Sequence, residues 1–160
     1  MDWAWLHLNV NRLPVWLALA ASLWLAFALA RRSRAMLHAG LVLLLAGAAA
    51  VIPAYFSGAG AARISVYELS ADDVVRHENW ALFALAVMLA AGVAAIGALR
   101  LERRRKLPVW LPALCLLLAL ASVAAGWRAA SLGTQLRHGV GELDEGPGHP
   151  VVGGPPDALD

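Results

Sequence analysis

The chain has 160 residues, 61% hydrophobic and 15% charged, with a formal charge of +2. Soluble domains carry about 25% charged residues, so this composition points away from one. A small net charge with basic residues bunched rather than striped also excludes a phosphate-tracking nucleic-acid protein.

Four apolar runs follow one another, over residues 14–30, 35–56, 80–99 and 107–127, and none contains Asp, Glu, Lys or Arg. A helix needs about 20 residues to cross the hydrocarbon core, and roughly 17 is the lower limit. The first run ends in Ala28-Leu29-Ala30, which resembles a cleavage site, but Arg31, Arg32 and Arg34 follow it. A signal peptide carries its positive charges ahead of the apolar stretch, so the run reads as a retained span. Pro14 suits a first helical turn, as does Pro108 at the start of the fourth run, because their missing amides cost little there. Pro53 predicts a kink near the end of the second run.

Small residues are dense in the second run (Gly40, Ala46, Gly47, Ala48) and the third (Ala90, Ala91, Gly92, Ala94, Ala95). They let helix backbones approach closely, so these faces are expected to pack together or to support a homodimer. Ser70-Ala71-Asp72-Asp73 is a capping-box-like start, which predicts a helix running through Val74–Glu78 into the third span. Cys115 stands alone in the fourth run, forms no intrachain disulfide and reads as a small apolar packing residue. Leu-Pro-Val-Trp-Leu occurs twice, at residues 13–17 and 107–111. Five residues of ordinary membrane-helix vocabulary read as coincidence rather than as an inverted repeat. Residues 139–160, rich in Gly, Pro and acids, predict a disordered tail after a membrane domain over 1–138.

Charge sets the orientation. The short turns 31–34 and 100–106 hold eight of the thirteen basic residues, and Glu102 is the only acid in them. The other ten acids lie before, between or after the two hairpins. By the positive-inside rule the basic turns face the cytoplasm, and both termini face outward, into the periplasm of a bacterium. The expected fold class is an all-α integral membrane four-helix bundle made of two transmembrane hairpins. Trp16, Tyr55, Phe56, Trp80 and Trp127 mark the outer span ends and Trp110 an inner one, as in an interfacial belt. Trp24 in mid-span reads as packing.

Four of the five histidines, His7, His77, His138 and His149, fall on the expected outer side, whereas His38 starts the second span. Asp73 and His77 are four apart on one helical face, where the carboxylate can orient the imidazole. Imidazole is the commonest metal ligand and an axial ligand of haem. His77, His138 and His7 are therefore candidate ligands for b-type haem or a metal, assembled across segments. No HxxxH or CxxC spacing is present, and no glycine-rich phosphate loop or nucleophile elbow. The spans lack the ionised groups that mark ion and proton pathways.

Four short motifs stand in order along the chain. They are His7-Leu8-Asn9-Val10-Asn11-Arg12-Leu13-Pro14, Ile52-Pro53-Ala54-Tyr55-Phe56-Ser57-Gly58, Arg76-His77-Glu78, and the stretch from Trp127 through Ser131-Leu132-Gly133-Thr134 to Arg137-His138. Together they resemble the bacterial four-span family known as domain of unknown function 2231, over about residues 5–139. The resemblance implies four spans with polar motifs near one membrane face, and no settled activity. Relatives usually carry His where this chain has Arg12, and often a second glycine where it has Thr134. A bis-histidine haem site here would therefore need His7.

Two functional readings follow. The first is a non-enzymatic scaffold or accessory subunit of a membrane complex. Arg12, Asp73, His77, Glu78, Arg137 and His138 then form a polar cap that ties the segment ends together. The second is a redox membrane subunit binding haem or a metal through the outer-face histidines.

Overall fold

A computed structural model describes residues 10–65, 71–104 and 106–144, with side chains described over 10–58, 72–104 and 106–135. It contains α1 (Leu13–Arg31), α2 (Arg34–Ser65), α3 (Ala71–Arg103) and α4 (Trp110–Asp144), and no strand among the described residues. All four helices are long and apolar enough to cross a membrane. The protein is thus all-α, with four helices of the kind a multi-pass membrane protein uses.

The helices form a closed ring in which α1 packs on α2, α2 on α3, α3 on α4 and α4 on α1. Across the diagonal, α2 and α4 barely touch. The spacing of buried positions explains this arrangement. Ala18, Ala21, Leu25 and Ala28 are buried in α1, Leu41, Leu44, Ala48 and Val51 in α2, and Met88, Ala91, Ala95 and Ala98 in α3. Each set steps by three, four and three residues, the interval that keeps one seam facing its neighbours in near-parallel helix packing.

Size decides which residues face inward. The core is mostly alanine, while Trp16, Phe27, Phe83, Val93, Leu117 and Trp127 are exposed. Water would drive the large apolar groups inside, but lipid tails are as apolar as leucine and give no such drive. Close backbone approach governs instead. A Cβ at Gly92 would stand 2.5 Å from the Cβ of Ala48, so α2 and α3 touch through their small residues as expected. At the α1–α4 contact, a Cβ at Gly126 would stand 2.6 Å from Val15 Cγ2. Ser22 and Ser122 are buried and satisfy their hydroxyls on the carbonyls of Ala18 and Leu118, one turn back in their own helices. Cys115 is fully buried in the core, in keeping with its reading as a packing residue. Trp24 instead projects outward, 42% exposed.

Helix length corrects the reading of the connections. α1 has 19 residues, but α2, α3 and α4 have 32, 33 and 35. At 1.5 Å per residue, the longer three reach about 50 Å and outrun a core of about 30 Å. Residues 57–65 and 71–79, between the second and third apolar runs, are therefore helix. α3 begins at Ala71 with Asp72 and Asp73 in its first turn, as the capping pattern predicts. Those carboxylates complement the positive end of the helix dipole. α2 passes through Pro53 without ending. α4 runs to Asp144, past Gly139, where the sequence predicts the tail to begin; residues 145–160 lie outside the described set.

The basic turns differ from each other. Arg32 closes α1 in the left-handed conformation (φ 50°, ψ 36°), its amide donating to the Ala28 carbonyl. Ser33 Oγ then accepts from the amide of Met36 at 3.4 Å, capping α2. In the second turn Pro108 precedes α4, which starts at Trp110 and not at Leu107. Pro112 falls in the first turn of α4 instead, where the missing N–H has no intrahelical partner to lose. Pro14, by contrast, does lie in the first turn of α1. The two Leu-Pro-Val-Trp-Leu copies thus adopt different local structures.

Candidate functional site

Alternation of helix direction brings the start of α1, the end of α2, the start of α3 and the end of α4 to one end of the bundle. There α3 presents Asp72, Asp73, Arg76, His77 and Glu78 ahead of Trp80. Trp80 packs edge-on against Phe83, with ring centroids 5.8 Å apart.

His77, among the described residues at this end, has a defined partner on another helix. Its Nδ1 lies 3.0 Å from the carbonyl oxygen of Ala129 on α4. A carbonyl only accepts, so Nδ1 carries the proton and donates. In a neutral imidazole that donates from Nδ1, Nε2 is the nitrogen left to bind a metal. The same arrangement, one ring nitrogen donating to a backbone carbonyl, orients histidine ligands in metal sites. Asp73 does not share in this: no ion pair joins it to His77 among the described residues.

Gly133 gives the ring room to lie close against α4. A Cβ there would meet His77 Cε1 at 3.1 Å and Nδ1 at 3.5 Å. The Ala129 carbonyl lies one turn before Gly133, so the ring reaches it across the bare glycine. His77 was legible as a candidate; its acceptor and its place against Gly133 were not.

The remaining polar groups at this end are scattered. Arg12, Asp73 and Glu78 are exposed, and no ion pair links them among the described residues. Asn11, beside the start of α1, buries its Oδ1 without a hydrogen-bond partner. His7 lies outside the described residues, and so do the side chains of Arg137 and His138, whose backbone belongs to α4. Among the described residues no group of three or more His, Cys, Asp and Glu is placed to hold a metal ion.

A second polar contact sits at the opposite end, where the two basic turns meet. His38 Nδ1 on α2 donates to Glu102 Oε2 on α3 at 3.2 Å. The imidazole is half exposed and the carboxylate mostly covered, 16% exposed. In the sequence His38 stands out only as the start of the second span. The signal that could have found the pair was Glu102 itself, the one acid among eight basic residues in those turns.

No family model, curated protein or solved structure matches the chain. The likeness to the family of unknown function rests on its four motifs alone.

Proposed function

We propose that this protein is a multi-pass membrane scaffold or accessory subunit, with its basic turns in the cytoplasm and its helical extensions on the outer side. One observation carries the reading. The bundle turns its alanine seam inward and its large apolar side chains outward, and it holds no ionised group between its ends. Such a body is suited to being held in lipid and to presenting its ends, and lacks the intramembrane charges of a transport pathway. In a bacterium the host membrane is the cytoplasmic one, and both termini are periplasmic. The polar residues on the extended ends of α3 and α4 then offer the surface for a membrane partner.

Topology is tested with reporters fused after Asp160 and within turn 100–106. The expected result is periplasmic activity at the first and cytoplasmic activity at the second, and the reverse pattern overturns the orientation. For the accessory role, affinity purification in mild detergent is expected to bring down a defined membrane partner. Recovery of the bare chain alone, from cells crosslinked before lysis, counts against it.

The redox reading has one observation in its favour, the Nδ1–H bond that leaves His77 Nε2 available. Haem or a metal would be held by His77 with His138, or with His7. Protein purified from haem- and metal-replete cells discriminates the two readings. A Soret band lost in His77→Ala supports the redox subunit; colourless, metal-free protein excludes it.

A further inference from the structure

We infer that the end of the bundle carrying the basic turns holds a binding site for a monoanionic phospholipid, with the phosphate on Arg32 and Arg34. A cavity of about 700 Å³ opens there between the two turns. It is lined by apolar groups, among them Ala28, Leu37 and Pro112, and by a charged rim of Arg32, Arg34 and Glu102. All four helices or their turns contribute to it.

The rim charges point to the ligand. Neither Arg32 nor Arg34 makes an ion pair or side-chain hydrogen bond among the described residues. The carboxylate at this end among the described residues, Glu102, is engaged by His38 instead. Two guanidinium groups thus stand at the cavity uncompensated. Guanidinium presents a planar fork of donors that matches a phosphate, and matches it better than an ammonium does. Arg32 also occupies a left-handed backbone conformation that favours glycine or asparagine.

Both halves of the cavity argue for a lipid rather than a free anion. The apolar floor suits a glycerol backbone and the first carbons of an acyl chain, whereas a dissolved phosphate would gain nothing from it. The uncompensated positive rim of Arg32 and Arg34 complements a lipid phosphate that carries net negative charge, and not a zwitterionic headgroup whose own ammonium already neutralises it. Glu102 can accept a hydrogen bond from a headgroup hydroxyl, as phosphatidylglycerol would offer. The site needs a membrane location, so it rests on the membrane reading but not on the proposed orientation or scaffold role.

The test is native mass spectrometry of the full-length protein in mild detergent, mixed in turn with phosphatidylglycerol, phosphatidylethanolamine, phosphatidylcholine and inorganic phosphate. Phosphatidylglycerol is expected to be retained over the other two lipids. Arg32→Gln with Arg34→Gln is expected to lower its retention about tenfold, the loss of one charge-assisted contact or more. Arg103→Gln with Arg104→Gln removes the same charge from exposed positions that do not line the cavity. That pair is expected to change retention by less than about twofold, as for a screened surface charge. Equal losses in both double variants would show only general attraction to the basic end and overturn the site. So would equal retention of all three lipids, and competition by millimolar inorganic phosphate would reassign the site to a free anion. Carbonate extraction separates the two failures: a chain that stays in washed membranes yet retains no lipid sinks this site alone, and one released by carbonate sinks the membrane reading as well.

Discussion

The imidazole of His77 occupies the space that a side chain at position 133 would fill. Its Cε1 lies 3.1 Å from where a Cβ of Gly133 would stand, and its Nδ1 holds the Ala129 carbonyl at 3.0 Å. The two residues bring α3 and α4 together outside the uninterrupted apolar runs 80–99 and 107–127.

Gly133→Ala is accordingly expected to destabilise the protein despite alanine's higher helix propensity. Glycine in a helix costs about 1 kcal/mol relative to alanine, and the lost interhelical hydrogen bond together with the contact against the ring offsets that gain. Gly97 has nothing within 4 Å of an added Cβ, so Gly97→Ala isolates the propensity term. Unfolding in mixed micelles should show Gly97→Ala more stable than wild type and Gly133→Ala less stable. A stabilised Gly133→Ala would mean that the ring moves aside freely.

Gly92→Ala tests the small-residue seam. An added methyl would sit 2.5 Å from the Cβ of Ala48, a backbone-anchored atom that cannot rotate away. Overpacking of this kind costs about 1–3 kcal/mol, and the same unfolding assay reads it. Gly92→Leu should be worse still. Unchanged stability in both variants would argue that α2 and α3 do not meet through this seam.

Arg32→Gly is expected to stabilise the first hairpin. Left-handed backbone costs a non-glycine residue about 1–2 kcal/mol, partly offset by the extra entropy glycine loses on folding, for a net gain of about 0.5–1 kcal/mol. A melting temperature at or below that of wild type would show that the arginine side chain is stabilising at its place.

The His38–Glu102 contact should contribute little to stability. With the imidazole half exposed, a double-mutant cycle through His38→Ala and Glu102→Gln is expected to give a coupling of about 0.5 kcal/mol or less. The coupling should shrink further at high salt. A coupling above about 1.5 kcal/mol would place the pair in a much drier setting than the structure gives it.

Cys115 should resist N-ethylmaleimide in intact membranes and react once the bundle is unfolded in sodium dodecyl sulfate. Its side chain is fully buried among the small residues of the core. Labelling of the native protein would require an opening between α4 and its neighbours.

The sequence by itself determined the four spans, the start of α3 at the Ser-Ala-Asp-Asp pattern, the burial of Cys115 and the packing of α2 against α3 through glycine and alanine. These follow from local composition and from helical spacing, which a linear reading contains. Only the tertiary structure decided how the ends are built. A backbone carbonyl has no identity in the sequence, so Ala129 could not be named as the acceptor for His77, 52 residues away. His38 and Glu102 are 64 residues apart and meet only because two hairpins bring their turns together. The extensions of α2 and α4 past their apolar runs were missed for a related reason, whereas the capping pattern had marked that of α3. Polar residues end an apolar run, but they do not end a helix whose backbone bonds continue. Four helices long and apolar enough to cross a membrane were written in hydrophobicity, whereas the contacts at either end depended on which helices became neighbours.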